Sequence, residues 1–337
     1  MNGPVWVEDG EKYAILGLSV KFNAALIENP AILPELSILP RAAFKMPEHW
    51  RDWLGTIRAE EVDNCDFFIV SKMRSKHPEV LDQDSQILQR RIWSFYRGLL
   101  LTSTFSPAHK PVVLTGARVE GEIGVRQVQD LDSPAPSIFK PYPELTRAGL
   151  QQAADIAAGL ERLGQTAHGD SHWRLFRVIH LYAETRTQAD LLHRLHQYAR
   201  CVDGLIVSRP GRGASDFKGR TRLFVGDRNQ DIVGEIYQDR SSVEHLNEDR
   251  LLEPFDREKR LSLTKKEAII EHIARTALSH IILDPALWPH FANRAGLEDF
   301  WDLSFDKQRE IWGPPINPLD AIKEFDPQYI HDGLLRN

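Results

Sequence analysis

The chain has 337 residues, of which 42% are hydrophobic and 27% are charged, and its formal net charge is −6. This composition is ordinary for a globular protein of about two domains, and it excludes a chain dominated by disorder, collagen-like repeats or coiled coil. The acidic balance argues against a generally cationic nucleic-acid-binding protein, so any site for a polyanion must be a local basic cluster.

The two cysteines, Cys65 and Cys201, lie far apart, which predicts neither a disulfide framework nor a paired-cysteine metal site. The N-terminus lacks the basic segment and apolar run of a secretory signal. No run of 18 apolar residues occurs, so no membrane span is predicted. We therefore expect a cytoplasmic protein.

Residues 1–140 are predicted to form a mixed α/β domain. Short apolar runs with β-branched and alternating character predict strands at residues 13–20, 67–70, 111–119 and 122–128. Residues 85–101 have helical spacing. The role of this domain is not indicated by any motif, and we expect it to bind a protein partner or an activating trigger.

Four prolines between Leu131 and Pro143 predict a linker. After it the hydrophobic period changes to 3.6 residues, which predicts an all-α bundle over residues 146–284. We expect helices at 147–163, 191–206, 231–247 and 264–283, the last of which begins with a capping box at Thr264. A further helix is expected to follow Ser171, which serves as its cap. The fold class is therefore predicted to be α+β. Residues 285–337 form a Trp-rich extension that we expect to pack on the body.

Familiar catalytic motifs are missing: the sequence has no phosphate-binding loop, nucleophile elbow, zinc-protease motif or dinucleotide fingerprint. His193 and His196 stand three residues apart and could face a metal together, but no third ligand is evident nearby. A solvated or capping role is the better interpretation of both histidines. No metal or cofactor is predicted.

One segment stands out: EIYQDRSSVEH, from Glu235 to His245. It resembles the R-x(4–6)-H signature of the HEPN superfamily of small all-α domains, together with its "IYDxR" lead-in, which includes Tyr237. The same R-x(4–6)-H pattern recurs elsewhere in this chain, for example at Arg174 and His180, so the surrounding residues must distinguish the segments. The helix at 194–206, with an acidic Asp203, resembles the companion helix of those families, and the match covers about residues 146–284.

The resemblance implies a metal-independent endoribonuclease of the kind found in prokaryotic toxin, CRISPR-associated and antiviral systems. It also implies a homodimer in which two Arg240/His245 pairs face one cleft. In such a site His245 serves as base or acid and Arg240 holds the scissile phosphate. Ser241, Asp203 and Tyr237 are the expected supporting residues.

Five helical positions turn the chain by about 500°, so Arg240 and His245 cannot share one groove of a regular helix. His245 is therefore expected at the helix end. Residues 209–222 are predicted to form a basic, glycine-rich loop that binds single-stranded RNA. Its RNA-binding side chains are expected to be Arg212, Lys218, Arg220 and Arg222.

Two alternatives remain open. The first is a non-catalytic HEPN-fold module that binds RNA or a nucleotide, or that assembles proteins. In the second, the N-terminal domain carries an unrecognised chemistry and the helical region only dimerises. Within the basic segment, the competing interpretation is a solvated loop on a dimer surface.

Overall fold

The computed structural model describes residues 6–23, 31–135, 143–247, 251 and 257–323. The described residues up to Ala158 form one compact unit, and those from Gly159 onward form the second. The predicted linker at 131–143 lies largely outside the described residues.

The first unit is built on an antiparallel sheet that has six strands within the described residues, in the order β2-β3-β4-β1-β5-β6. The strands are β1 (Glu11–Leu18), β2 (Ala31–Leu33), β3 (Leu36–Pro40), β4 (Phe67–Arg74), β5 (Val112–Val119) and β6 (Glu122–Asp130). Every residue of β1 is buried, because β1 is central and pairs with both β4 and β5.

Two helices pack on this sheet: α1 (Glu48–Asp63) and α2 (Gln83–Thr102). The core on one face of the sheet joins Tyr13 and Phe68 to Trp50 of α1. The α2 helix begins at Asp82, whose carboxylate accepts hydrogen bonds from the backbone N–H groups of Asp84 and Ser85. It packs on β1, β4 and β5.

The second half of the chain is helical. Its long helices are α3 (Arg147–Thr166), α4 (Trp173–Arg186), α5 (Leu191–Ile206), α6 (Gly213–Val225), α7 (Gln230–Glu244) and α8 (Arg257–Leu283). The α5 helix packs against α4, α7 and α8. The predicted α+β class is confirmed: an antiparallel sheet with helices precedes an all-helical region.

Two predicted helix starts are wrong. The α4 helix is preceded by His172 in the left-handed region, while the Ser171 hydroxyl accepts a hydrogen bond from the N–H of His168 instead. The α8 helix begins at Arg257 rather than at Thr264. Thr264 is 1% exposed inside the helix, because the apolar face continues upstream through Leu263.

The described part of the C-terminal extension forms three short α-helices in the second unit, α9 (Trp288–Phe291), α10 (Arg294–Asp302) and α11 (Phe305–Trp312), followed by a 3-10 helix at Pro318–Ile322. Its tryptophans are buried. The Trp301 indole N–H donates to the carbonyl of Leu205 at the end of α5. In the described part of the chain, no helix is long and apolar enough to cross a bilayer.

Candidate functional site

Arg240 lies in the groove between α5 and α7, with its side chain only 12% exposed. Its Nη1 is 2.9 Å from Glu244 Oε2, and its Nη2 is 3.8 Å from Asp203 Oδ2. The guanidinium carbon lies 5.3 Å from the centre of the Tyr237 ring. The structure therefore brings together three of the residues predicted for the site, Arg240, Asp203 and Tyr237.

The two supporting residues are themselves held in place. The Ser208 hydroxyl donates a 2.7 Å hydrogen bond to Asp203 Oδ1. The Tyr237 ring packs on Phe217 of α6 at 5.0 Å between centroids. A Cβ at Gly213 would stand 2.5 Å from the Tyr237 hydroxyl, so a larger residue at the start of α6 would have to displace that side chain.

His245 is the first residue beyond α7 and is exposed. Its backbone N–H donates to the carbonyl of Ser241, and the following residue, Leu246, has a positive φ and is 82% exposed. Among the described residues, no side-chain hydrogen bond or ion pair joins His245 to Arg240. The Ser241 hydroxyl has no such bond to either residue there. The structure therefore places His245 at the exposed end of α7 without a side-chain contact to Arg240 among the described residues.

The segment predicted to be a basic loop is largely helical, and that prediction is wrong. After Gly211, which has a positive φ, the chain forms α6 over Gly213–Val225. The buried face of α6 includes Phe217, Thr221 and Phe224. This helical periodicity outweighs the helix-weakening glycines, including Gly219, that suggested a loop.

Most cations of this segment have partners in the fold. Arg209 binds Asp216, Lys218 lies 3.0 Å from Asp231, and Arg222 binds Asp227. Arg220 donates to the carbonyls of Ile206 and Val207 at the end of α5. Arg212 is exposed and makes no ion pair with the described part of the chain. RNA would therefore have to compete with protein partners at Lys218, Arg220 and Arg222.

His196 is a neighbour of Arg240 that the sequence interpretation did not place in the site. It lies seven residues before Asp203, so two turns of α5 put both on one face. Burial and the Arg240 charge lower the pKa of His196, although Glu244 opposes the shift. Its Nε2 is buried without a hydrogen-bond partner among the described residues. The seven-residue spacing between His196 and Asp203 is the sequence feature that could have placed His196 in the site.

The far side of α7 is anchored to α8. Lys266 Nζ lies 2.8 Å from Asp239 Oδ2 and 3.1 Å from Glu235 Oε2. Asp239 and Lys266 are 6% and 7% exposed, so this pair is desolvated. The anchor ties α7 to α8 at the residue directly before Arg240.

The chain matches no family model, no curated protein and no solved structure. Among the described residues, no cluster of three or more histidine, cysteine or acidic side chains could hold a metal ion. The resemblance to the HEPN superfamily therefore rests on residues 194–206 and 235–245.

Proposed function

We propose that the helical region is a metal-independent endoribonuclease of the HEPN type that cuts single-stranded RNA. The observation that carries the proposal is the placement of Arg240: a largely buried guanidinium held against Asp203 and Tyr237, five residues before an exposed His245. A rigidly positioned guanidinium binds phosphate through two parallel hydrogen bonds and stabilises growing negative charge.

The proposed reaction is a displacement at phosphorus in which one proton leaves the attacking 2′-hydroxyl and one proton reaches the departing 5′-oxygen. A base takes the proton of the 2′-hydroxyl, and that oxygen attacks the adjacent phosphorus while the bond to the 5′-oxygen breaks. An acid returns a proton to the leaving 5′-oxygen. The products are a 2′,3′-cyclic phosphate and a 5′-hydroxyl end. His245 is assigned as base or acid in this reaction, because an imidazole nitrogen can accept or donate a proton.

The scissile phosphate takes the place of a carboxylate partner of Arg240. Glu244 is the group to be displaced, since its side chain is 43% exposed and sits only one turn along α7. The Glu244 carboxylate is the more exposed partner of this pair and can return to water, so a doubly hydrogen-bonded phosphate can replace it. Asp203, at 3.8 Å, keeps the guanidinium oriented.

A homodimer through α5 and α7 completes the proposed site, with the two Arg240/His245 pairs facing one cleft. The exposed Leu246 beside His245 is an apolar side chain that such an interface would cover. Light scattering at micromolar concentration should give twice the 38.5 kDa chain mass. A monomer across that range contradicts the shared cleft.

We also propose a cytoplasmic location, and the state of the two cysteines supports it. Both cysteines are free and buried, and burial raises the pKa of Cys65 to about 12. Unpaired thiols of this kind suit a reducing compartment.

The test is RNA degradation in EDTA by the wild type and by Arg240→Ala and His245→Ala variants that retain the fold. We expect both changes to abolish cleavage and the wild-type product to carry a 2′,3′-cyclic phosphate. His180→Ala is the matched control, because His180 follows Arg174 in the same sequence pattern and is exposed on α4 beside Glu184. Cleavage that survives both site variants, or that requires a divalent metal, overturns the assignment.

A non-catalytic binding or assembly module is the second candidate. It is favoured by the pairing of Arg240 with two carboxylates and of the α6 cations with protein groups. Saturable RNA binding or dimerisation without any cleavage in the same assay would support it.

A further inference from the structure

A cavity of about 430 Å³ opens at the C-terminal end of α6. Its walls come from three segments of the second unit: residues 225–229 after α6, Phe305 and Arg309 of α11, and residues 315–317. A volume of this order is within the range of about 300–1,000 Å³ that is usual for small-molecule sites.

The cavity is distinct from the Arg240 groove. Gly213, at the N-terminal end of α6, contacts Tyr237, whereas Val225, at the other end, lines the cavity. The 13 residues of α6, at about 1.5 Å per residue, separate the two places by roughly 20 Å.

The electrostatics of the cavity favour an anion. Arg309 lies in its wall, where its guanidinium donates to the carbonyls of Gly313 and Arg222, and burial lowers its pKa despite the nearby Asp227. The Asp227 carboxylate is already bound by Arg222. Arg228 is exposed at the same turn and makes no ion pair with the described residues. The lining therefore holds two guanidinium groups, those of Arg228 and Arg309, and one carboxylate, which Arg222 already neutralises.

The rest of the lining is apolar. Val225, Phe305, Pro315 and Ile316 contribute side chains to the walls. The Phe305 ring also orients the cations, since the Arg222 and Arg309 guanidinium carbons lie 4.2 and 5.4 Å from its centre. Bare phosphate would use only the cations, whereas a ligand that joins an anion to a ring would also contact these apolar walls.

We propose that this cavity binds a phosphorylated nucleoside of mononucleotide size. The guanidinium groups of Arg228 and Arg309 bind the phosphate, because the planar fork of arginine matches phosphate oxygens. The base lies against the apolar walls. This site is independent of the proposed RNA cleavage, since it uses neither Arg240 nor His245.

The test is calorimetric titration of the full chain with AMP, adenosine or inorganic phosphate, in the absence of RNA. We expect saturable AMP binding, with adenosine and phosphate each at least about tenfold weaker, since each lacks one half of the contacts. Arg228→Ala should weaken AMP by about tenfold and leave the melting temperature unchanged. Phe305→Leu should also weaken AMP, because the ring that orients two guanidinium groups is lost.

The matched control is Arg294→Ala, since Arg294 is an exposed arginine of the same extension that pairs with Glu298. It should bind AMP like the wild type. Failure of AMP to saturate at millimolar concentration, equal affinity for phosphate and AMP, or unchanged binding by Arg228→Ala would each overturn the proposal. Because no RNA is present, these outcomes are separate from those of the cleavage assay.

Discussion

The hydroxyl group of Tyr237 occupies the space above Gly213, where any larger residue would place its Cβ 2.5 Å from that oxygen. Tyr237 also packs under Arg240. The first turn of α6 is therefore coupled to the side chain that orients the candidate phosphate-binding group.

Gly213→Ala should displace the Tyr237 ring and destabilise the helical unit by about 1 kcal/mol, because overpacking outweighs the better helix propensity of alanine. Gly219→Ala is the matched control on α6, since nothing lies within 4 Å of a Cβ there. It should stabilise by roughly 0.5–1 kcal/mol. Urea unfolding measures both changes.

Replacing Tyr237 with phenylalanine removes the hydroxyl group and so tests whether its close contact with residue 213 causes the loss of stability. In the Tyr237→Phe background, Gly213→Ala should cost much less than in the wild type, and the double-mutant cycle should show coupling of roughly 0.5 kcal/mol or more. Additive effects of the two substitutions would contradict the close contact.

Asp239→Ala should destabilise the protein by roughly 3 kcal/mol, because it leaves the buried Lys266 with only the more exposed Glu235 as a partner. Asp231→Ala is the comparison on the same helix. Its side chain is 97% exposed beside Lys218, so its removal should change the urea midpoint very little. Equal losses of stability in the two variants would show that the buried Asp239–Lys266 pair contributes no more than the exposed Asp231–Lys218 pair.

Acid stability should depend on Glu271. Burial alone raises the pKa of this carboxyl, but Arg275, Arg186 and the Tyr182 hydroxyl more than offset burial and hold it below its usual value of 4.5. A carboxyl with a depressed folded-state pKa stabilises the fold above its unfolded pKa, and this contribution is lost as the pH falls through the folded value.

Glu271→Gln should therefore lose roughly 3 kcal/mol at pH 7, where the buried Arg275 loses its counter-charge. Its stability should then fall less steeply than that of the wild type below about pH 4.5. Urea midpoints at pH 7, 5, 4 and 3 test this, with Glu298→Gln as an exposed-carboxylate control. Parallel pH curves for Glu271→Gln and the wild type would contradict the assignment.

Arg212 and Arg220 should behave differently, although both were predicted to bind RNA. Arg212→Ala should lower RNA affinity, flatten its salt dependence by roughly 0.7 slope units and leave stability unchanged. Arg220→Ala should lower the melting temperature, because Arg220 donates to two carbonyls at the end of α5 and lies over Trp301. If Arg212→Ala binds RNA with the wild-type salt slope, Arg212 is only solvated surface.

The accuracy of the sequence predictions follows the strength of the local signals. The α5 helix begins and ends where predicted, because the Asp190 cap and an unbroken apolar stripe agree. The short strands β2 and β3 were missed, since three to five residues carry too little alternation to predict a strand. The α6 helix was missed because its glycines and charges resemble a loop.

The candidate site was partly predictable for a similar reason. Arg240, Asp203 and Tyr237 stand at positions that a motif and a companion helix identify. The partners of Lys218 and Arg222 are the carboxylates of Asp231 and Asp227, and their pairing depends on how α6 meets the next turn and helix. The spacing of these residues in the sequence does not predict which carboxylate each cation binds.

The α3 helix has a practical consequence for any attempt to divide this protein. Its first twelve residues belong to the first compact unit, where the Ala153 backbone lies against Gly98, while Gly159 lies against Ile282 of α8. A fragment cut at the predicted linker would keep all of α3 and leave Leu150, Ala153 and Ile156 without the surface that buries them. Such a truncated fragment would expose these apolar side chains and would be prone to aggregate.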